Sequence, residues 1–343
     1  MVTIIDVARH AGVSKSTVSL VLNKNPRVKE ETRLRVEDAI KTLGYVCNSN
    51  ARGLRKKETK CLGVVNIVES KDPCTYEFNS ETGQFSYGIV NGISAGLEDT
   101  DYGMIVERFS RERAISGELP QIVATGRVDG VFLVGGLFTN EVIERIRRFG
   151  LPMISVGHRY DMIDSVYADV ERGMELQVGE LLDSGCRRLA MINGSPLYES
   201  SQERLEGWNQ AIAQCSTVPE QIWQIHCHRN TGEGGYLAMK KLWEEGIRPD
   251  GVAAANEPIA MGVMRFLLEQ GVRIPEDISV VGYEASVLGG YAAPALTSVN
   301  VYKEQMGVMA AGMLIKRIGD PATEQQMYKM APELLRRGSV KSR

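Results

Sequence analysis

The sequence has no run of the ~18 consecutive apolar residues that a membrane-spanning helix requires. Its opening, MVTIIDVARHAG, lacks the basic segment and long apolar core of a secretory signal. A cytoplasmic protein with no membrane attachment is therefore expected. The six cysteines (Cys47, Cys61, Cys74, Cys186, Cys215, Cys227) form no C-x-x-C pair, so they read as reduced thiols and not as a disulfide framework or a zinc ribbon. His226 and His228 flank Cys227 on a predicted strand end, where neighbouring side chains point to opposite faces, and no spaced partner pair exists. GEGG at 232–235 lacks the Lys-Ser/Thr of a phosphate-binding loop and reads as a helix entry. Asn193-Gly194-Ser195 matches a glycosylation triplet, which carries no meaning in a cytosolic chain. The sequence shows no nucleophile–base–acid set. It also has no heptad extension at its end, so a dimer is expected and not a tetramer. The methionines of 306–313 fall at helical spacing and read as core or dimer-face packing. No metal or cofactor is expected.

The 343 residues exceed one ordinary core and point to a small module joined to a larger one. Charge is divided the same way. The net charge is −3, but residues 1–60 hold 13 Lys+Arg against 6 Asp+Glu, or +7, leaving 27 against 37, or −10, for the rest. A basic head on an acidic body suits a nucleic-acid-binding arm on a soluble domain.

The head has helical periodicity. Thr3, with Asp6 three residues on, opens a segment in which Ile4, Val7, Ala8 and Ala11 recur at helical spacing, in the manner of a capped helix, and Gly12 terminates it. Ser14 opens a second helix that buries Val18, Val21 and Leu22 and leaves Lys15, Ser16, Ser19, Leu20 and Asn23 outward. A third runs from about Glu30 to Leu43, with Lys29 a poor N-cap. Two short helices joined by a glycine turn and braced by a third form either a helix-turn-helix or a plain three-helix bundle.

The segment from Ile4 to Tyr45 resembles the headpiece of the lactose-repressor/galactose-repressor family. The matching words are DVAxxAGVS, TVSxVLN, the Val28-x-x-x-Thr32-Arg33 step and the closing Leu-Gly-Tyr. The resemblance implies that Lys15 and Ser16 read bases. Leu20 replaces an arginine common in relatives and would meet a thymine methyl instead of a guanine. Thr3, Ser14, Thr17, Ser19, Asn23, Arg27, Thr32 and Tyr45 would face the DNA mainly as backbone contacts, which supply affinity and not sequence choice. Residues 47–60 match a hinge helix that orders on specific DNA, with Asn48, Ala51 and Leu54 at the minor-groove positions and Leu54 as the wedge. Cys47 in place of proline, and Gly53, weaken that helix in isolation.

Downstream, short apolar strands (62–68, 102–106, 129–134, 153–157, 188–193, 251–255, 277–283) alternate with amphipathic helices. That pattern predicts parallel sheets with helices on both faces and ligands at the strands' carboxyl ends. FSYGIVNGISAGLE, RVDGVFLVGG, ERLEGW, AAANEPIAMGV and RIPEDISVVGYE are similar to the same family's two-lobed, type I periplasmic-binding-protein-like core. The resemblance implies lobe one at 61–158 plus 303–329 and lobe two at 159–302 plus 330–343, with a longer loop than usual at 69–84. It places Arg204 as the effector's anchor, Asn256 and Glu284 as partners of a hydroxyl-rich ligand, and Phe85 and Ser86 on the lobe-one wall. Asn230 stands near a position where sugar-binding relatives stack an aromatic ring. Glu284 replaces an aspartate and Gly157 stands where many relatives carry one. The implied protein is a dimeric repressor that binds a near-palindromic double-stranded operator and responds to a small effector, a sugar or sugar derivative by family precedent. The competing readings are an enzyme or binding protein with a vestigial head, and a DNA-bending architectural protein. The intact head signature opposes the first, and the separate cleft domain opposes the second.

Overall fold

The computed structural model of the chain describes residues 2–22, 25–43, 58–68, 81–136, 138–196 and 198–342, with backbone only at 81–83. It divides into two compact units, Met1–Thr59 and Lys60–Arg343. Asn23, Tyr45, Asn48, Ala51 and Leu54, like Cys47 and Gly53, lie outside the described residues, as does 69–80 of the expected long loop.

The first unit contains α1 (Ile4–Ala11), α2 (Lys15–Leu22) and α3 (Glu30–Leu43). A reciprocal cap opens α1. The Asp6 amide donates to Thr3 Oγ1 at 3.3 Å, and the Thr3 amide donates to the Asp6 carboxylate at 2.9 Å. Gly12 ends the helix at φ +63°, a conformation that costs a residue with a Cβ more than glycine. Ser14 then caps α2, its Oγ accepting the Thr17 amide at 3.1 Å. Val7, Val18 and Val36 each come from a different helix and are fully buried, with Ala8, Ala11, Val21 and Ala39 around them. This small core fixes the angle between α1 and α2.

The second unit is two six-stranded sheets. The first takes the order β11-β5-β4-β3-β1-β2, all parallel: β1 (Cys61–Val68), β2 (Gly103–Ser110), β3 (Gly130–Val134), β4 (Met153–Val156), β5 (Asp164–Ala168) and β11 (Met327–Met330). The second repeats that order as β12-β10-β9-β8-β6-β7: β6 (Arg188–Asn193), β7 (Gln221–His226), β8 (Gly251–Ala254), β9 (Ser279–Tyr283), β10 (Thr297–Asn300) and β12 (Glu333–Leu335). Only β12 there runs antiparallel to its neighbour. In β1, Leu62 and Val64 enter one core cluster while Val65 and Ile67 enter another, so both faces are covered, as crossover helices require.

Helices α4 (Glu81–Gly96) and α13 (Lys303–Gly319) pack together in the first lobe. The expected loop at 69–84 is therefore helical from Glu81 onward. Shorter helices α5 (Arg111–Ile115), α6 (Gln121–Ala124) and α7 (Asn140–Arg147) belong to the same lobe. The second lobe has α8 (Val170–Asp183) and α9 (Glu199–Gln214), which pack together, and α10 (Gly232–Glu244) and α11 (Glu257–Glu269), which do the same. A short α12 (Val287–Gly290) completes it. Met306 on α13 is fully buried, with Met309 and Met313 packed at the edge of the core.

The lobe limits differ from those expected. β5 pairs with β4 and β11 in the first sheet, so the first crossing lies after Ala168 and not at 158/159. Met330 still pairs with Ala168 in lobe one, which moves the third crossing past residue 330. The second falls between Asn300 and Lys303, where Tyr302 takes φ +56°. No helix among the described residues is long and apolar enough to cross a membrane, and no group of His, Cys, Asp or Glu among them is arranged to hold a metal. His226 Nδ1 instead lies 2.9 Å from the Gly194 carbonyl.

Candidate DNA-facing helix and effector cleft

On α2, Lys15, Ser16 and Leu20 are exposed, and Leu20, an apolar residue, is 42% exposed. Ser16 and Leu20 are four apart and share one face of the helix. Ser14, Thr17 and Ser16 form a hydroxyl cluster at the N-terminus of α2, with Ser14 Oγ 2.7 Å from Ser16 Oγ and 2.9 Å from Thr17 Oγ1. Thr17 and Ser19 are half-buried. Thr3 and Arg27 are exposed, and Thr32 is half-buried. The stripe on α2 combines a cation, a hydroxyl and a methyl-bearing side chain around the positive end of a helix dipole, the kinds of group that meet phosphates and base edges.

In the second unit a cavity of about 210 Å³ opens between the lobes. Phe85 and Ser86 reach it from α4, and His158 and Arg159 from the turn after β4. Tyr167 and Lys329 line it from β5 and β11. Facing them are Asp169 and Glu171 at the start of α8, Glu203, Arg204 and Glu206 on α9, and Tyr283 and Glu284 at the end of β9. The cavity thus sits at strand carboxyl ends in both sheets.

Arg204 is 6% exposed; it donates to Ser200 Oγ at 3.3 Å and lies 5.1 Å over the Tyr283 ring. Glu284 is 3% exposed and sits at φ +94°, followed by Ala285 at φ +46°. Two successive non-glycine residues with positive φ are a costly conformation, held here by the surrounding structure. The Glu284 amide donates to Val299 O at 2.7 Å, its carbonyl accepts from Lys303 Nζ at 3.0 Å, and the Ala285 amide donates to Ser298 Oγ at 3.1 Å. Lys303 belongs to α13, so that bond links the lobes. Two more links cross the cleft: Lys329 Nζ to Asp169 at 3.0 Å, and His158 Nε2 to Glu199 at 3.1 Å. Burial raises the Glu203 carboxyl above the ordinary carboxylate range, and the charges of His158 and Arg204 oppose that shift.

Four of the six sequence-expected effector residues line this cavity: Phe85, Ser86, Arg204 and Glu284. Asn230 and Asn256 are not among its lining residues. Asn256 is the N-cap of α11, its Oδ1 accepting the Ile259 amide at 2.8 Å while its Nδ2 donates to the Asn230 carbonyl at 3.4 Å. Asn230 Oδ1 accepts the Ser195 amide at 2.6 Å. Gly157 explains itself: at φ +93°, a Cβ there would sit 2.5 Å from the Phe85 ring, so a side chain at 157 and this ring exclude each other. Sequence reasoning missed His158, Asp169, Glu203 and Lys329. The strand-end rule points to His158, and Glu203 adjoins Arg204 in the ERLEGW word with Glu199 one helical turn before it; Lys329 carried no local signal.

Residues 3–48 match the model of bacterial regulatory proteins of the lacI family, and residues 178–340 match that of a periplasmic binding protein-like domain. The chain is 31% identical to the HTH-type transcriptional repressor PurR of Edwardsiella ictaluri over 344 residues, covering 99% of this chain and 97% of the relative. It is 30% identical to the ribose operon repressor of Escherichia coli over 347 residues, covering 99% and 100%. Among solved structures, a lac repressor dimer bound to operator and an anti-inducer superposes with a TM-score of 0.83 at 24% identity, covering 99% of each chain. Signature, fold and full-length similarity agree, and the chain belongs to the lacI family of bacterial regulatory proteins.

Proposed function

We propose that this chain is a sequence-specific DNA-binding transcription repressor whose operator affinity is set by a small molecule held between the lobes of its second unit. The observation that carries the reading is the presence, in one chain, of a capped helix-turn-helix with an outward Lys15–Ser16–Leu20 stripe and of a cleft lined by Arg204, Glu284 and aromatic rings. Relatives matched over nearly their whole length are named HTH-type transcriptional repressor PurR and ribose operon repressor, and the second name supports a hydroxyl-rich effector. The chain acts in the cytoplasm as a regulator and not as an enzyme. It binds a near-palindromic operator as a homodimer, since a two-fold protein reads a two-fold site. Asn48, Ala51 and Leu54 are assigned to the minor groove on the family resemblance.

The effector acts by changing which cross-lobe bonds are made. Lys329–Asp169, His158–Glu199 and Lys303–Glu284 tie the lobes together at the cavity, so a ligand there competes with them or reinforces them. Any shift in lobe angle then changes operator affinity, with a coupling of about 1–3 kcal/mol typical of such systems.

The test is a thermal-shift screen of the full chain against sugars, sugar phosphates, nucleosides and purines, repeated with Arg204→Ala and paired with operator binding. A ligand that stabilises the wild type but not the variant, and that changes operator affinity, supports the reading. Operator binding that no ligand alters would make the second unit a dimerisation platform for a constitutive DNA binder.

A further inference from the structure

The charges around the cleft are unevenly shared. Among the described residues, all five carboxylates lining it (Asp169, Glu171, Glu203, Glu206, Glu284) come from the lobe-two side. Three cations line it, and two of them are already matched: Arg159 by Asp161 at 2.8 Å and Lys329 by Asp169 at 3.0 Å. Arg204 faces the remaining carboxylates with its guanidinium over Tyr283. The lobe-two wall therefore carries more carboxylates than cations: Glu171 and Glu206 are exposed, Glu203 is half-buried and Glu284 is buried. A phosphorylated or carboxylated ligand would meet that wall at a cost.

Two other side chains indicate what the ligand offers besides charge. Ser86 Oγ on lobe one and Tyr283 Oη on lobe two are both 2% exposed, both line the cavity, and neither has a hydrogen-bond partner. Buried hydroxyls are rarely left so, and Ser86 is the one of the two that a ligand's hydroxyl or amino group would meet, since Tyr283 Oη lies against Gly173 of α8. The cavity of about 210 Å³ is below the ~300–1,000 Å³ of pockets for drug-sized molecules, which sets the ligand at the scale of one sugar ring.

We infer that the effector is a hydroxylated small molecule carrying a protonated amine, with amino sugars as its simplest class, the amine facing Glu203 on α9. This rests on the cleft being the effector site. Burial disfavours the charge on Glu203, and a bound ammonium group restores it. Phe85 and Tyr167 supply ring faces that also accept a cation.

The test is calorimetric titration of the full chain with glucosamine, galactosamine and mannosamine, each beside its N-acetyl derivative, its parent hexose and its 6-phosphate. At least one amine is expected to bind about tenfold or more tightly than its three counterparts, a difference of about 1.4 kcal/mol. Glu203→Gln, which keeps the side chain's shape, is expected to abolish the preference for the amine over its three counterparts. A parent hexose or N-acetyl sugar that binds as tightly as the amine, or a phosphate that binds more tightly, overturns the inference. If that ligand is lost in Arg204→Ala, the cleft remains the effector site. A panel in which nothing binds also overturns the inference, and the wider screen with Arg204→Ala then decides whether the cleft reading falls with it.

Discussion

The two lobes share one strand order, yet they treat buried carboxylates differently. In lobe one, Asp164 at the start of β5 receives Arg317 through two bonds, of 2.9 and 2.7 Å, and the Gln326 amide at 2.7 Å. In lobe two, Glu257 is 2% exposed, its carboxylate oxygens accept no hydrogen bond, and Arg337 stands 3.9 Å away. Glu284 sits on a left-handed backbone, and Glu203 titrates high. Lobe one pairs its buried carboxylate fully, whereas lobe two, which holds Glu180 with Arg336, also keeps a buried carboxylate, Glu257, without a hydrogen bond. Strain and shifted titration of this kind mark places where a ligand supplies what the fold withholds.

The largest expected effect tests the contrast in the cores. Arg317→Ala leaves Asp164 buried with its charge unmatched and should cost about 3–5 kcal/mol in chemical denaturation. Glu257→Gln removes a charge that lacks hydrogen bonds and should change stability by less than about 1 kcal/mol, or raise it. Comparable losses in both variants would erase the difference between the lobes.

Next in size is the effector anchor. Arg204→Ala removes a buried hydrogen-bond donor from the cavity and should weaken the best ligand of the screen by about tenfold. Operator affinity without ligand should stay within about twofold of wild type, since affinity for DNA comes chiefly from contacts with the backbone phosphates. Anisotropy with a labelled operator separates the two quantities.

Glu284→Gly probes the stored strain directly. Glycine adopts φ +94° freely, so the variant should be as stable as wild type or gain up to about 1 kcal/mol. It loses the carboxylate, so ligand binding should weaken. Loss of both stability and binding would mean that the side chain, not the backbone, fixes this turn.

Much of this arrangement was readable in advance where local chemistry decides it. Thr3, Asp6, Gly12 and Ser14 bound the first two helices because capping involves only near neighbours in the chain. Arg204 and Glu284, expected from the words around them, line the cavity. β5 was missed because Asp164–Ala168 is short and follows its neighbour closely, and that omission misplaced the first lobe crossing. Asn256 stands outside the cavity lining because one motif serves two ends. An asparagine ahead of Glu257-Pro258 is also a helix cap, and here the cap takes the amide. The pairings that tie the cleft, His158 with Glu199 and Lys329 with Asp169, join residues far apart in sequence, and no local pattern encodes them.

The smallest expected effect isolates Glu203, half-buried on α9 among His158, Arg204, Glu199 and Glu206, with Arg159, Tyr160 and Tyr283 nearby. Its folded-state pKa is raised above the unfolded value, so between the two the folded chain holds more protons. Stability linked to this group is fully present below the unfolded pKa and is lost as pH rises through the folded one. Glu203→Gln cannot ionise and escapes that loss. The variant's melting temperature should therefore exceed the wild type's by a few degrees at neutral pH, and the gap should shrink as the solution is acidified. A gap that is constant with pH would mean that glutamine improves packing without relieving charge. A gap of the opposite sign at neutral pH would mean that Arg204 and His158 already compensate Glu203, which would place the surplus charge of the acidic wall on Glu171, Glu206 and Glu284 instead.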